Sequence, residues 1–356
     1  MFEKKELTFL QDLLTTPSPV GYETAGQRVW IDYLKPVADG IITDVYGSAA
    51  AHLDVNPEAI TVMLEAHCDE IGMVVQYVDS NGFVYINRIG GSDPTIVRAK
   101  KVFIHTQKGI VSGVVGNTAI HLQDKGNQKI PAWKDLFIDI GAASKEEALE
   151  LVQIGDPITY TDDLEFLTDD LVVGRALDNR IGGFIIAQAF HQLAKRKHEL
   201  KVNVFAVNSV QEEIGGYGAR MMSYRLHPDA AIVTDVTHAT DTPGIDSREH
   251  GEVKLGKGAS ISHGSANQVK LVQKIMAAAA GNDIPVQHEA SSIRTGTDTD
   301  SIFYAKSGIA SALISTPMRY MHSPVEMVSL NDVQSVVDIM VETVLSLAAD
   351  ESFRLL

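Results

Sequence analysis

Cysteine is nearly absent from this chain: of 356 residues only Cys68 is one. A single thiol excludes an internal disulfide framework and any structural zinc site built on several thiolates, so a bound metal has to rest on histidine and carboxylate. Long apolar runs are missing as well. No window of about 18 apolar residues occurs, and the N-terminal MFEKKELTFLQDLL carries charges where a signal peptide needs its apolar core. The expectation is a cytoplasmic protein. Basic residues are also few, with Lys+Arg 30 against Asp+Glu 46 and a formal net charge of −16. A surface of that sign repels phosphate backbones and anionic lipids, so no nucleic-acid partner and no membrane partner is expected. The acid excess is either solvated surface or, in part, a set of carboxylates converging on cations.

What the chain does have is a composition fit to bury cores, 45% hydrophobic and 21% charged residues, with a mean hydropathy of +0.01. Its length predicts two domains. Helical periodicity is found at 9–14 and again from 23 to 34, where it stops before Pro36, and a strand-like ITDVYG follows at 42–47. The apolar run 60–66, ITVMLEA, reads as a central strand leading to His67. From about 72 to about 165 the chain changes to short β-type runs such as MVVQYV, FVYINRI and KVFIHT, with one helical stretch at 145–152. After 170 strands alternate with longer helices again: strands at 202–207, 230–235 and 309–315, helices at 180–195, 266–280 and 330–348, the last with Ser329 as N-cap. The expected fold is therefore α/β, a mixed sheet flanked by helices over 1–70 plus 166–356, interrupted at 71–165 by a small β-barrel or sandwich.

Acidic and histidine clusters stand directly after the predicted strands, where open α/β sheets place their ligand crevice. In EAHCDEIG, 65–72, His67 and Asp69 are two apart and point the same way in an extended segment. His67 can bind a metal through one ring nitrogen while Asp69 accepts from the other. In RALDNRIGG, 175–183, Asp178 stands between an apolar strand and an apolar helix, a place where a lone Asp is more often an N-cap than a ligand. In NSVQEEIGGYGA, 208–219, adjacent Glu212 and Glu213 can divide labour, one on a metal and the other free as general base; the bland alternative is a solvated acidic turn. Asp235 closes AAIVTD, and YMHSPVE, 320–326, offers His322, though a lone His is more often structural. Singly these signals are weak. Together they supply two His, three carboxylates and one spare Glu, the set that two divalent cations roughly 3.5–4 Å apart require. Carboxylate and imidazole suit zinc, cobalt or manganese.

In order and spacing, AHCDEIG, ALDNRIGG, QEEIGGYGA, Asp235 and MHSPVE resemble the tetrahedral aminopeptidases, glutamyl and leucyl aminopeptidases that form hollow dodecamers. The resemblance runs over nearly the whole chain, including the β insertion after the first metal histidine. It implies a zinc-exopeptidase catalytic domain, an insertion that serves dimerisation, and short peptides as substrates. It further implies that Asp178 bridges two metal ions, that His67 and Asp235 complete one site and Glu213 and His322 the other, that Glu212 is the general base, and that Asp69 orients His67. The GTD at 296–298 resembles a substrate-side loop. On this reading the ions bridge a water and lower its pKa, Glu212 accepts its proton, and the resulting hydroxide attacks the peptide carbonyl. Cys68 points away from its neighbours in an extended segment and is read as packing.

Other functions find less support. GEVKLGKG, 251–258, fits the phosphate-loop pattern only until Gly258, where a Ser or Thr is required. No G-x-S-x-G and no H-E-x-x-H occurs. A deacylase or carboxypeptidase could use the same metal cage, a glycosidase would work on paired carboxylates without metal, and a noncatalytic homologue would be expected to lack Glu212. Arg294 could meet an acidic substrate side chain but reads as an ordinary surface charge.

Overall fold

The apolar segment before His67 is a central strand. In the computed structural model, which describes residues 2–122, 130–161 and 164–356, the strand Thr61–His67 lies between Asn203–Ser209 and Ala230–His238 and parallel to both, and Ala230–His238 runs parallel to Ala310–Arg319. Strands covered on both faces need apolar residues on alternate sides. Val62 and Leu64 accordingly enter the larger core, while Met63 enters a second one on the opposite face. The larger core is closed by the helices Lys4–Thr15, Thr24–Leu34, Leu177–Lys195, Val269–Gly281 and Leu330–Ser346, the smaller by Tyr217–Leu226 and Thr299–Ile302.

Antiparallel strands extend this parallel centre on both sides. Ala49–Leu53 and Gly40–Thr43 lie beyond Asn203–Ser209; Glu326–Ser329, Leu171–Gly174 and Glu165–Phe166 lie beyond Ala310–Arg319. Ala259–His263 pairs with part of Ala310–Arg319 and carries Val286–Ala290 on its other side. The sheet is thus mixed, as the alternation of strands and helices predicts.

Between Thr61–His67 and Glu165–Phe166 the chain leaves the sheet and forms a closed six-stranded barrel, in the order Gly72–Val78, Val84–Ile89, Phe137–Asp139, Gly109–Val115, Lys101–Thr106, Pro157–Tyr160. Of the two architectures expected for the β insertion, it is the barrel. Closure pairs every strand edge, and the barrel fills its inside with its own core, Met73, Val75, Ile86, Ile104, Ile138 and Ile158 among others. At its root, Glu70 is buried between Arg175, which donates to its Oε2, and Arg180, whose Nη1 is 3.5 Å from its Oε1.

One local expectation needs correction. The strand read at 42–47 ends at Thr43, because the Asp44 carboxylate accepts the N–H groups of Tyr46, Gly47 and Ser48 at 2.9, 2.8 and 3.0 Å and turns the chain. The glycine-rich segment 251–258 is irregular, and the amides of Gly256 and Gly258 are already donated to the Asp332 carboxylate at 2.6 and 2.7 Å. Two of the donors a phosphate would need are therefore taken. Among the described residues no helix is long and apolar enough to cross a membrane.

Candidate metal centre

Parallel pairing aligns the ends of the central strands, and that alignment builds the site. Ser209 stands opposite His67 at the ends of their strands, whereas Asp235, expected to close its strand, lies three residues before the end of Ala230–His238, opposite Ser315. The loops leaving these ends carry Glu212 and Glu213 from one side and His322 from the other. Asp178 comes from a separate direction, at the start of Leu177–Lys195, where the helix meets the strand Leu171–Gly174. All seven residues singled out in the sequence, His67, Asp69, Asp178, Glu212, Glu213, Asp235 and His322, meet here, and six of them line a cavity of about 560 Å³. The seventh, Asp69, is fully buried behind it.

Asp178 is the hub. Its Oδ1 is 3.3 Å from His67 Nε2 and its Oδ2 is 3.3 Å from His322 Nε2. Asp235 Oδ1 stands 3.7 Å from the same nitrogen of His67, and Glu213 Oε2 stands 3.5 Å from that of His322. Two groups of three potential ligands result, His67 with Asp178 and Asp235, and Asp178 with Glu213 and His322. Glu212 belongs to neither group; its Oε2 is 3.8 Å from His67 Nε2 and its side chain opens to the cavity. Asp69 holds the other side of the arrangement. Its carboxylate accepts the backbone N–H of Glu212 at 2.9 Å and of Glu213 at 3.1 Å, while its Oδ1 is 3.4 Å and its carbonyl oxygen 3.2 Å from His67 Nδ1.

The electrostatics fit divalent cations. Burial pushes the carboxyls of Glu213 and Asp235 well up, and the nearby charge of Asp178 adds to it. Glu212 is lifted to about 8 by burial, with Asp298, Asp178 and Asp69 adding repulsion. Burial also opposes the charged form of Asp178, but hydrogen bonds from His322 and His67 overcome it and hold this carboxyl well below its ordinary value. One oxygen of Glu213 is buried with no hydrogen-bond partner among the described residues. Several carboxylates forced together out of water, with two imidazoles aimed among them, are unfavourable by themselves and become favourable around positive charge. Cys68 is buried and belongs to neither ligand group.

Three features escaped the sequence reading. Glu326 lies inside the motif YMHSPVE, four residues after His322, with no role that spacing alone assigns. It is buried, accepts the backbone N–H of Asp178 at 3.1 Å and that of His322 at 2.8 Å, and so ties the hub to the last histidine. Gly91 comes from the barrel side. Its carbonyl is 3.2 Å from His322 Nδ1, and a Cβ on it would stand 2.6 Å from that nitrogen. Finally, Ala176, Gln211, Tyr320 and His322 have φ between 60° and 62°, a region that costs non-glycine residues energy and is often met at functional sites. Four such residues flanking one cavity could not be found from composition or periodicity. The adjacency of Glu326 to a predicted ligand was the one available signal.

Comparisons with known proteins point to aminopeptidases. The family model of the M42 glutamyl aminopeptidases matches residues 47–339. A lysyl aminopeptidase of Pyrococcus furiosus is 35% identical over 92% of this chain and 93% of its own length. Among solved structures, a TET aminopeptidase from a marine-sediment Thaumarchaeota archaeon superposes with a TM-score of 0.91 at 29% identity, covering 97% of each chain. The TET1 peptidase of Pyrococcus horikoshii, which can assemble into a tetrahedron or a large octahedral shell, has a TM-score of 0.86 at 31% identity over 96% of this chain and 100% of its own. The strand-end cluster of imidazoles and carboxylates, the barrel inserted behind its first histidine and a family match over most of the chain lead to one assignment: this protein belongs to the M42 glutamyl aminopeptidase family of metalloaminopeptidases.

Proposed function

We propose that the chain is a dinuclear metal-dependent aminopeptidase that releases N-terminal residues from short peptides, with Glu212 as general base. The observation that carries this reading is Asp178, which turns one oxygen to His67 and the other to His322 and so belongs to two ligand groups at once. His67, Asp178 and Asp235 would hold one ion, and Asp178, Glu213 and His322 the other; zinc or cobalt, and after them manganese, suit this donor set. Bound ions supply polarisation of the scissile carbonyl and a lowered pKa for the attacking water.

The remaining work falls to the chain's own groups. Glu212 takes the proton of the attacking water and returns it to the leaving amine. Glu212, raised to about 8 by burial, would be drawn back toward the neutral range in which a base operates if cations were held beside it. Asp69, by holding the amides of Glu212 and Glu213, fixes where both carboxylates start. The free α-amine of a peptide meets the carboxylates of the cavity, which favours cleavage at the N-terminal end. We also assign residues 71–165 to contact with a second copy and a dodecamer built from such dimers. Exposed Tyr77, Ile110, Val114 and Ile154 on the insertion support this, as does the shell formed by the Pyrococcus horikoshii relative.

The test is chelation followed by reconstitution. Exhaustive removal of divalent ions should abolish release from aminoacyl anilides, and zinc or cobalt should restore it. Glu212→Gln should keep its metal content while turnover falls by on the order of 100- to 10,000-fold. Activity that survives chelation, or a Glu212→Gln variant as fast as the parent, overturns the proposal. Failure on every anilide, with release of C-terminal residues or acyl groups from other amides, favours a carboxypeptidase or deacylase instead.

A further inference from the structure

A second cavity, of about 420 Å³, adjoins the metal centre and shares Val236, Thr237, Thr295 and Thr297 with it. A peptide whose first carbonyl sits at the ligand cluster has this neighbouring space open to its N-terminal side chain. Its lining includes the half-buried Glu289, on the strand Val286–Ala290. Its Oε1 accepts from Ser262 Oγ at 2.5 Å and from Ser315 Oγ at 3.1 Å, and its Oε2 accepts from Thr237 Oγ1 at 2.6 Å. The three donors come from three other strands of the sheet and all are neutral, so they orient the carboxylate without cancelling its charge. An ionised carboxylate offers about four acceptor positions, and three hydroxyls leave room for a further donor. Among the described residues no lysine or arginine is paired with Glu289. The apolar side chains of Leu313 and Val236 also border the cavity and offer a surface for a methylene stem.

We propose that Glu289 determines side-chain specificity, and that the first substrate subsite takes a basic residue, lysine or arginine. The inference rests on the aminopeptidase reading above and deepens it. The two arginines that border the cavity do not reverse its sign. Arg248 is exposed and paired with Asp246 through contacts of 2.6 to 3.2 Å, and Arg294 is an exposed residue of the loop after Val286–Ala290. An ammonium or guanidinium brought to Glu289 replaces water around a charge already fixed in place. A substrate carboxylate at the same position meets that charge with no cation beside it. Direct pairing of this kind discriminates strongly, because the wrong substrate leaves the carboxylate without its partner.

The experiment is steady-state kinetics of the full-length, metal-loaded enzyme on the p-nitroanilides of lysine, arginine, leucine and glutamate, for the parent, Glu289→Gln and Arg294→Ala. The expected order of kcat/KM in the parent is lysine and arginine first, leucine next and glutamate last. In Glu289→Gln, which keeps the shape and one acceptor, the ratio of lysine to leucine kcat/KM should fall by on the order of 10- to 100-fold, mainly through KM. A parent that hydrolyses leucine anilide in a metal-dependent way but shows no basic preference overturns this inference alone. An equal loss on all four substrates in Glu289→Gln, with a lowered Tm, assigns Glu289 to holding the strands together and overturns it as well. So does a preference for glutamate that vanishes in Arg294→Ala. If no anilide is cleaved with any metal, the aminopeptidase reading fails and takes the subsite with it.

Discussion

At the scale of single residues, the centre depends both on carboxylates that face the cavity and on one that does not. Asp178 could be read from the sequence as an N-cap or as a ligand, and the two readings differ only in where its oxygens point. They point at two histidines. Glu326 illustrates the opposite case, a residue in plain view whose task is to accept two backbone N–H groups, which no motif encodes. Its removal makes a prediction. Glu326→Ala leaves the amides of Asp178 and His322 without an acceptor, and affinity for a divalent ion should fall by about 10- to 100-fold in a competition titration. Glu326→Gln retains one of the two acceptors but turns its amide NH2 toward the other backbone N–H, so it should recover only part of that loss. An alanine variant that binds metal as the parent does would show that the clamp contributes nothing to positioning.

At the scale of elements, strand alternation did the organising. Val62 and Leu64 face one core, Met63 the other, and the same alternation carries His67 to the strand end beside the loop of Glu212 and Glu213. That much is legible as a pattern of apolar residues ending in a histidine. The approach of the barrel is not, because Gly91 lies 231 positions from His322 along the chain. Gly91→Ala should push the imidazole away and reduce turnover by about tenfold or more, since small misplacements of a reacting group are costly. Circular dichroism of the variant should be unchanged, and normal turnover would count against the contact. The last helix gives a second test. Ser329 accepts the N–H of Asp332 and donates to Asp170 Oδ2 at 2.8 Å, so Ser329→Ala should lower unfolding free energy by about 1–2 kcal/mol in denaturant melts. Its activity per folded molecule should stay that of the parent.

For the molecule as a whole, the buried carboxyls couple stability to pH and to metal. Glu212 is raised from 4.5 to about 8, and Glu23 and Glu65 from 4.5 to about 7, each mainly by burial. A carboxyl whose pKa is higher in the folded state holds more protons there than in the unfolded state, so it favours folding at low pH and loses that contribution as pH rises through the folded value. The metal-free protein should therefore lose stability between about pH 4.5 and pH 8. Asp178, lowered in the folded state, works in the reverse sense, but only as pH falls below its ordinary 3.8. Saturating zinc should flatten the decline, because the ions favour the ionised carboxylates. Thermal melts across this range, with chelator and with zinc, decide the matter; a Tm of the metal-free protein that rises toward pH 8 would contradict it. The same view divides the net charge of −16. Asp178, Glu213 and Asp235 carry −3 of it into the cage proposed for two divalent ions, and the rest is distributed elsewhere in the chain.

The amino-acid sequence alone determined the fold class, the interruption of an α/β unit by a β insertion, and the six side chains that line one cavity together with Asp69 behind it. These follow from local periods and from the rule that strand ends gather ligands, and both are properties of neighbouring residues. Tertiary structure alone decided that the insertion closes as a barrel, that Glu326 clamps two ligand amides, that Gly91 approaches His322, and that Glu289 faces a cavity shared with the metal centre. Each of these joins residues far apart in the chain through backbone atoms or neutral hydroxyls. Such groups occur at nearly every position, so their partners are chosen only when the sheet and barrel bring them within reach.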